Sequence, residues 1–132
     1  MTCLLADGGL RAAALHATLA ALRGLVLPRA RLPDGGVVEP IPLRLTRVPV
    51  ACTYGVVGGT APGSPKLQLL ADTSAIEEYI ADGIVTIAVD EGNNIVHLQY
   101  GCPTPLSPSV LVACVRQWQQ KAPAVRAAIL QQ

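Results

Sequence analysis

Two short stretches hold residues whose types and spacing suit phosphate chemistry. In Asp7-Gly8-Gly9-Leu10-Arg11 a glycine pair opens an alanine- and leucine-rich run. Unshielded amide N–H groups at a helix start, with an arginine one turn in, are a ready place for an anion. In Asp72-Thr73-Ser74-Ala75-Ile76-Glu77-Glu78 three carboxylates cluster, with Asp72 and Glu78 six positions apart. Such a pair can hold a divalent metal or deliver an acid to a leaving oxygen in phosphoryl transfer. The same residues also have a plainer use: Asp7 is placed to cap the helix after it, and acidic groups near a helix start complement its dipole without any catalytic purpose.

Other candidates are weaker. Arg29, Arg31, Arg44 and Arg47, with Arg23 upstream, bracket a proline-rich stretch and form the one local basic cluster. They read either as an RNA track or as charge protecting a strand edge. The net charge of +1 supplies no global field toward nucleic acid, and DNA is not expected as a partner. Cys3, Cys52, Cys102 and Cys114 lack the close pairing or histidine spacing of a zinc site and read as buried free thiols of a reducing compartment. His16 and His97 have neither a nucleophile nor a metal partner nearby in sequence and read as structural.

These groups need elements to position them. In "LRAAALHATLAALRG", Leu15, Leu19 and Leu22 share one side of a helical wheel and Ala13, Ala14, Ala17, Ala20 and Ala21 crowd the other. A helix with two apolar sides is expected to be covered on both, and Gly24 to end it. Residues 28–42, with four prolines and the Asp34-Gly35-Gly36 turn, read as a connector. "LRLTRVPVACTYGVV" alternates as a strand broken or bulged at Pro49, and "KLQLLA" returns beside it as a hairpin. Ser74 and Glu77 at capping-box spacing start a short acidic helix with Ile76, Tyr79 and Ile80 on one side. "IVTIAVD", "EGNN" and "IVHLQY" form a second hairpin. Ser107 and Pro108 start a last helix with Leu111, Cys114, Val115 and Trp118 as its inner stripe, kinked or interrupted at Pro123. The fold class is α+β, a mostly antiparallel sheet of two hairpins packed with an N-terminal apolar helix, a short acidic helix and a long C-terminal helix.

At 132 residues the chain fits a single domain. Charged residues are 14% and apolar ones 51%, with a mean hydropathy of +0.42. No apolar run reaches the ~18–20 residues of a membrane span, so the excess reads as surface kept for a partner chain.

The element order, with these words in it, resembles the C-terminal half of the RNase PH family, which includes bacterial RNase PH, polynucleotide phosphorylase and the six-membered ring of the eukaryotic exosome. Asp7-Gly8-Gly9-Leu10-Arg11 resembles the family's Asp-Gly-Gly-Thr-Arg helix start, "RVPVACTYGVV" its following strand, "LLADTSAIEEYIADGIVTIAVDEGNNIV" its acidic segment and hairpin, and "LSPSVLVACVRQW" its closing helix. The resemblance covers nearly the whole chain. It implies one RNase PH-like domain over 1–132 that lacks the family's first half, with a helix over 7–24, a connector over 28–42 and the C-terminal-like region over 43–132.

Active members use inorganic phosphate to attack the last phosphodiester of RNA and release a nucleoside diphosphate. By resemblance, Gly8, Gly9 and Arg11 match the phosphate motif, and Asp72 and Glu78 the catalytic aspartates. Leu10 stands at the threonine position, Glu78 is one methylene longer than the aspartate, and Ile80 stands where the phosphorylase branch has lysine. "ADTSAIEE" is closer to the silent ring subunits of the exosome. The resemblance therefore implies a non-catalytic subunit without cofactor or metal, assembled with other RNase PH-like subunits in a hetero-oligomeric ring or with itself, with RNA contact possible and a nuclear and cytoplasmic location. The alternatives are a phosphorolytic 3'-to-5' exoribonuclease subunit using phosphate with Mg or Mn, and a free-standing interaction module.

Overall fold

A computed structural model describes residues 2–58, 67–101 and 106–131. Helix α1 spans Leu10–Arg23 and ends at Gly24. The connector is more ordered than its prolines suggest. Strands β1 (Val26–Leu27) and β4 (Ile41–Pro42) pair antiparallel, as do β2 (Ala30–Arg31) and β3 (Val37–Val38), so residues 26–42 make an exposed ribbon closed by the Asp34-Gly35-Gly36 turn. Prolines forbid helix but are tolerated in two-residue ladders, where few backbone donors are needed.

The main sheet has the order β6-β5-β7-β8, antiparallel throughout. Its strands are β5 (Val50–Val57), β6 (Gln68–Ala71), β7 (Gly83–Val89) and β8 (Ile95–Gly101). The strand expected from Leu43 begins only after Pro49; residues 43–49 are irregular, because proline cannot donate to a ladder in a central strand. Residues 59–65 of the turn expected over 58–65, Lys66 of the returning strand, and the thiol of Cys102 lie outside the described residues.

Side chains of β5 and β7 alternate between two buried faces. Val50, Cys52, Tyr54, Val56, Val85, Ile87 and Val89 pack on Cys114, Trp118 and Ala122 of helix α3 (Pro108–Gln131). On the other face, Ala51 and Ala88 receive Ala12 and Leu15 of α1. The small side chains let α1 approach the sheet closely. The result is three layers, helix on sheet on helix.

The leucine side of α1 is covered, with Leu19 buried and Leu15 and Leu22 half-buried, whereas Ala13, Ala17 and Ala21 are exposed. The cover expected over that flank is not provided by the described residues of this chain. Helix α3 begins as expected, the Ser109 N–H donating to Ser107 Oγ at 3.3 Å. It is not interrupted at Pro123. Proline removes one amide donor there, but Ala122 is fully buried and the Arg126 guanidinium anchors the following turn to three backbone carbonyls: Val48 at 2.9 Å, Asp90 at 2.8 Å and Val89 at 3.2 Å.

Candidate functional site

The two candidate stretches meet, although 69 positions separate their contacting residues. Helix α2 (Ala75–Ile80) starts from a left-handed Asp72, φ 58°, a conformation aspartate tolerates better than most side chains. Its capping box is present: Ser74 Oγ accepts the Glu77 N–H, and Glu77 Oε2 accepts the Ser74 N–H at 2.8 Å. The bonds that the Glu77 carboxylate accepts from the Ser74 N–H and, at 2.9 Å, from the Ser74 hydroxyl hold it below the usual carboxylate range.

The start of α1 interlocks with the start of α2. Gly8 (φ 80°) lies so close that a Cβ there would stand 1.9 Å from the Thr73 carbonyl oxygen, which only glycine permits. Glu78 Oε1 accepts the Gly9 N–H at 2.7 Å and the Thr73 hydroxyl at 3.3 Å. In return, Asp7 Oδ1 accepts the Ala75 N–H at 3.1 Å. Asp7 therefore caps α2, not the α1 that follows it; the N-cap of α1 is Gly9, without a side-chain bond of its own. Each helix start is closed by a carboxylate from beside the other.

This geometry decides what the site can bind. The amides at the start of α1 would serve an anion, but a carboxylate already occupies the Gly9 donor. Asp72 Oδ1 also lies beside Gly9, 3.6 Å from where a Cβ would stand. Leu10, half-exposed, shares a shallow cleft with Arg11, Glu78, Thr53 and Thr86. Phosphate entering there would meet Arg11, but also the Glu78 carboxylate and the isobutyl group of Leu10. The two buried threonine hydroxyls face each other at 3.4 Å. Among the described residues no group of three or more His, Cys, Asp or Glu side chains is arranged to hold a metal ion. Glu78 and Asp72 flank the same glycine, yet Glu78 spends its extra methylene reaching across to α1.

Of the arginine cluster, Arg29 and Arg31 line one cleft on the exposed ribbon. Arg29 pairs with Glu39 across the ribbon at 3.2 Å with both side chains largely exposed, a bond worth little in water. Arg31 lies in β2, and Arg44 and Arg47 follow β4 in the irregular segment. Arg23 donates to the Ile129 carbonyl at 3.2 Å. Cys52 and Cys114 are free, buried thiols whose pKa values burial raises, Cys114 to about 11; Cys3 is free but exposed. Sequence reasoning missed Arg126 as a buried anchor. Its signal was legible: Cys114, Trp118, Ala122 and Arg126 recur every four positions on the buried side of α3.

The family described as "3' exoribonuclease family, domain 2" matches residues 47–117. The chain belongs to this family. It is similar to the exosome complex component Rrp42 of Methanothermobacter thermautotrophicus, 31% identical over 89% of this chain and 42% of that protein. Similarity to Rrp42 of Methanosarcina mazei is 26% over 95% of this chain and 43% of that protein. Among solved structures, it resembles a chain of the Archaeoglobus fulgidus exosome with RNA bound to the active site, with a TM-score of 0.77 and 27% identity over 95% of this chain and 45% of that one. It also resembles a chain of an archaeal exosome core, with a TM-score of 0.71 and 25% identity over 96% of this chain and 47% of that one. The chain thus spans less than half the length of the relatives it matches. The α+β architecture and the family assignment read from the sequence hold. Among the described residues no helix is long and apolar enough to cross a membrane.

Proposed function

We propose that this chain is a non-catalytic RNase PH-like subunit of an exosome-type 3'-to-5' RNA-processing complex, serving assembly of the ring. The observation that carries this reading is the Glu78 carboxylate seated on the Gly9 amide, because it takes a donor that an attacking phosphate would use and sets a negative charge at that helix start. The similarity to two Rrp42 components supports placement among ring subunits. The chain, incubated with poly(A), phosphate and magnesium or manganese, is expected to release no nucleoside diphosphate. Release that disappears in Asp72→Ala would overturn the assignment and favour a phosphorolytic exoribonuclease using Arg11 and the α1 start.

The partners are other RNase PH-like subunits, and co-purification from the source cell should bring them along; recovery of the chain alone would favour a free-standing interaction module. A β-rich unit, on another polypeptide or on the same one, lies over the exposed alanine flank of α1 as the family's first half. Arg44 and Arg47 contact RNA with Arg31; unchanged RNA crosslinking after charge reversal at Arg44 and Arg47 would reduce them to edge protection. The unpaired buried thiols Cys52 and Cys114 support a reducing compartment, nucleus and cytoplasm.

A further inference from the structure

Strand β6 pairs with β5 along Tyr54–Val57, and among the described residues no strand lies beside the earlier part of β5 on that side. The Ala51 amide falls in this gap, in a residue only 4% exposed, where water cannot readily replace a lost acceptor. It donates to Nε2 of His16 at 3.0 Å. An imidazole accepts through a ring nitrogen only while that nitrogen is unprotonated. We propose that His16 is a proton-sensitive latch, its neutral imidazole fastening the middle of α1 to β5 and releasing it when the ring takes a second proton.

The surroundings define how the latch works. His16 lines a cleft of about 400 Å³ with Ala12 and Ala13 of α1, Ala51 and Cys52 of β5, Asp72 at the entrance to α2, and Trp118 and Lys121 of α3. Its own helix offers only alanine and leucine at the neighbouring turns, Ala12, Ala13, Leu19 and Ala20. The charged groups facing the cleft are therefore Asp72 and Lys121, beside the neutral Cys52 thiol. Burial disfavours the imidazolium and lowers the His16 pKa below 6.5, while the Asp72 carboxylate pulls weakly the other way. Protonation would set the Nε2 proton against the Ala51 N–H, two donors facing each other, and the ring must leave. The neutral latch is complete above the ordinary histidine value of 6.5 and is lost as pH falls through the lower folded value.

Amide hydrogen exchange on the full chain, read by NMR between about pH 7.5 and about pH 5, tests this. Protection at Ala51 and across the middle of α1 is expected to fall about tenfold or more, with a midpoint that follows titration of the His16 ring, while Val85 in β7 keeps its protection. His16→Gln, whose amide oxygen can accept but does not titrate, should show a flat profile, and His97→Gln should behave as the parent. Asp72→Asn should move the midpoint to lower pH, and this arm decides the matter on folded protein if His16→Gln does not fold. A flat parent profile, an undiminished fall in His16→Gln, or a midpoint indifferent to Asp72→Asn would each overturn the latch.

Discussion

Replacing Glu78 by alanine tests the interlock between the two helix starts directly. The variant loses the acceptor for the Gly9 amide at 2.7 Å and for the Thr73 hydroxyl at 3.3 Å. A hydrogen bond to a charged group contributes about 1.5–3 kcal/mol, and Glu78 is only partly buried, so the lower end applies. A carboxylate at a helix N-terminus adds about 0.5 kcal/mol. The expected cost is about 2 kcal/mol, which with a urea m-value of about 2 kcal/mol/M lowers the unfolding midpoint by about 1 M. Glu78→Gln keeps an oxygen acceptor without the charge and should lose about half as much. Glu78→Asp is the discriminating variant. Its shorter side chain should fail to span the gap and should cost nearly as much as alanine. Urea unfolding followed by far-UV circular dichroism measures all three. An aspartate variant as stable as the parent, or an alanine variant within about 0.5 kcal/mol of it, would refute the claim that the added methylene serves the α1 start.

Arg126→Met should destabilise by about 3 kcal/mol in the same assay, since it strips three buried carbonyls of their donor, and Arg126→Lys should recover only part of this. Asp90 is held below its ordinary value of 3.8 first by the Asn94 side-chain amide, 3.1 Å from its carboxylate, and then by the Asn94 and Gly92 backbone amides, which its Oδ1 accepts at 2.9 Å. The stability it contributes is present above that value and is lost as pH falls beneath it, so Asp90→Asn should flatten the acid limb of a thermal melting profile. Under native conditions alkylation mapped by mass spectrometry should modify Cys3 promptly and spare Cys52 and Cys114 until the chain unfolds.

Features governed by local chemistry were legible in the sequence. Ser74 with Glu77, Ser107 with Pro108, and the alternation within β5 and β7 each specify their element through near neighbours, and each appears where expected. Features set by distant residues were not. Nothing near Asp7 indicates that it serves Ala75 rather than its own helix, because the competing amide arrives from 68 positions away. Pro123 predicted a kink or an interruption, and the helix runs on through it, with Ala122 and Arg126 seating it on either side. The apolar side of α2 also turned out differently: Ile76, Tyr79 and Ile80 are 74%, 90% and 64% exposed, because the polar side of this short helix is the one that meets α1. At the site itself, residue types pointed to phosphate, while the length of Glu78 was informative only once its target at Gly9 was known.

The exchange of carboxylates between the helix starts bears on the order in which the chain can organise. Neither α1 nor α2 has its full complement of end bonds until β5 and β6 have drawn segments almost 70 positions apart into register. A six-residue helix is too short to persist alone, so α2 must condense in the same cooperative step that fastens α1. In native-state exchange the two should open together as one foldon, despite the chain of residues 24–74 that runs between them.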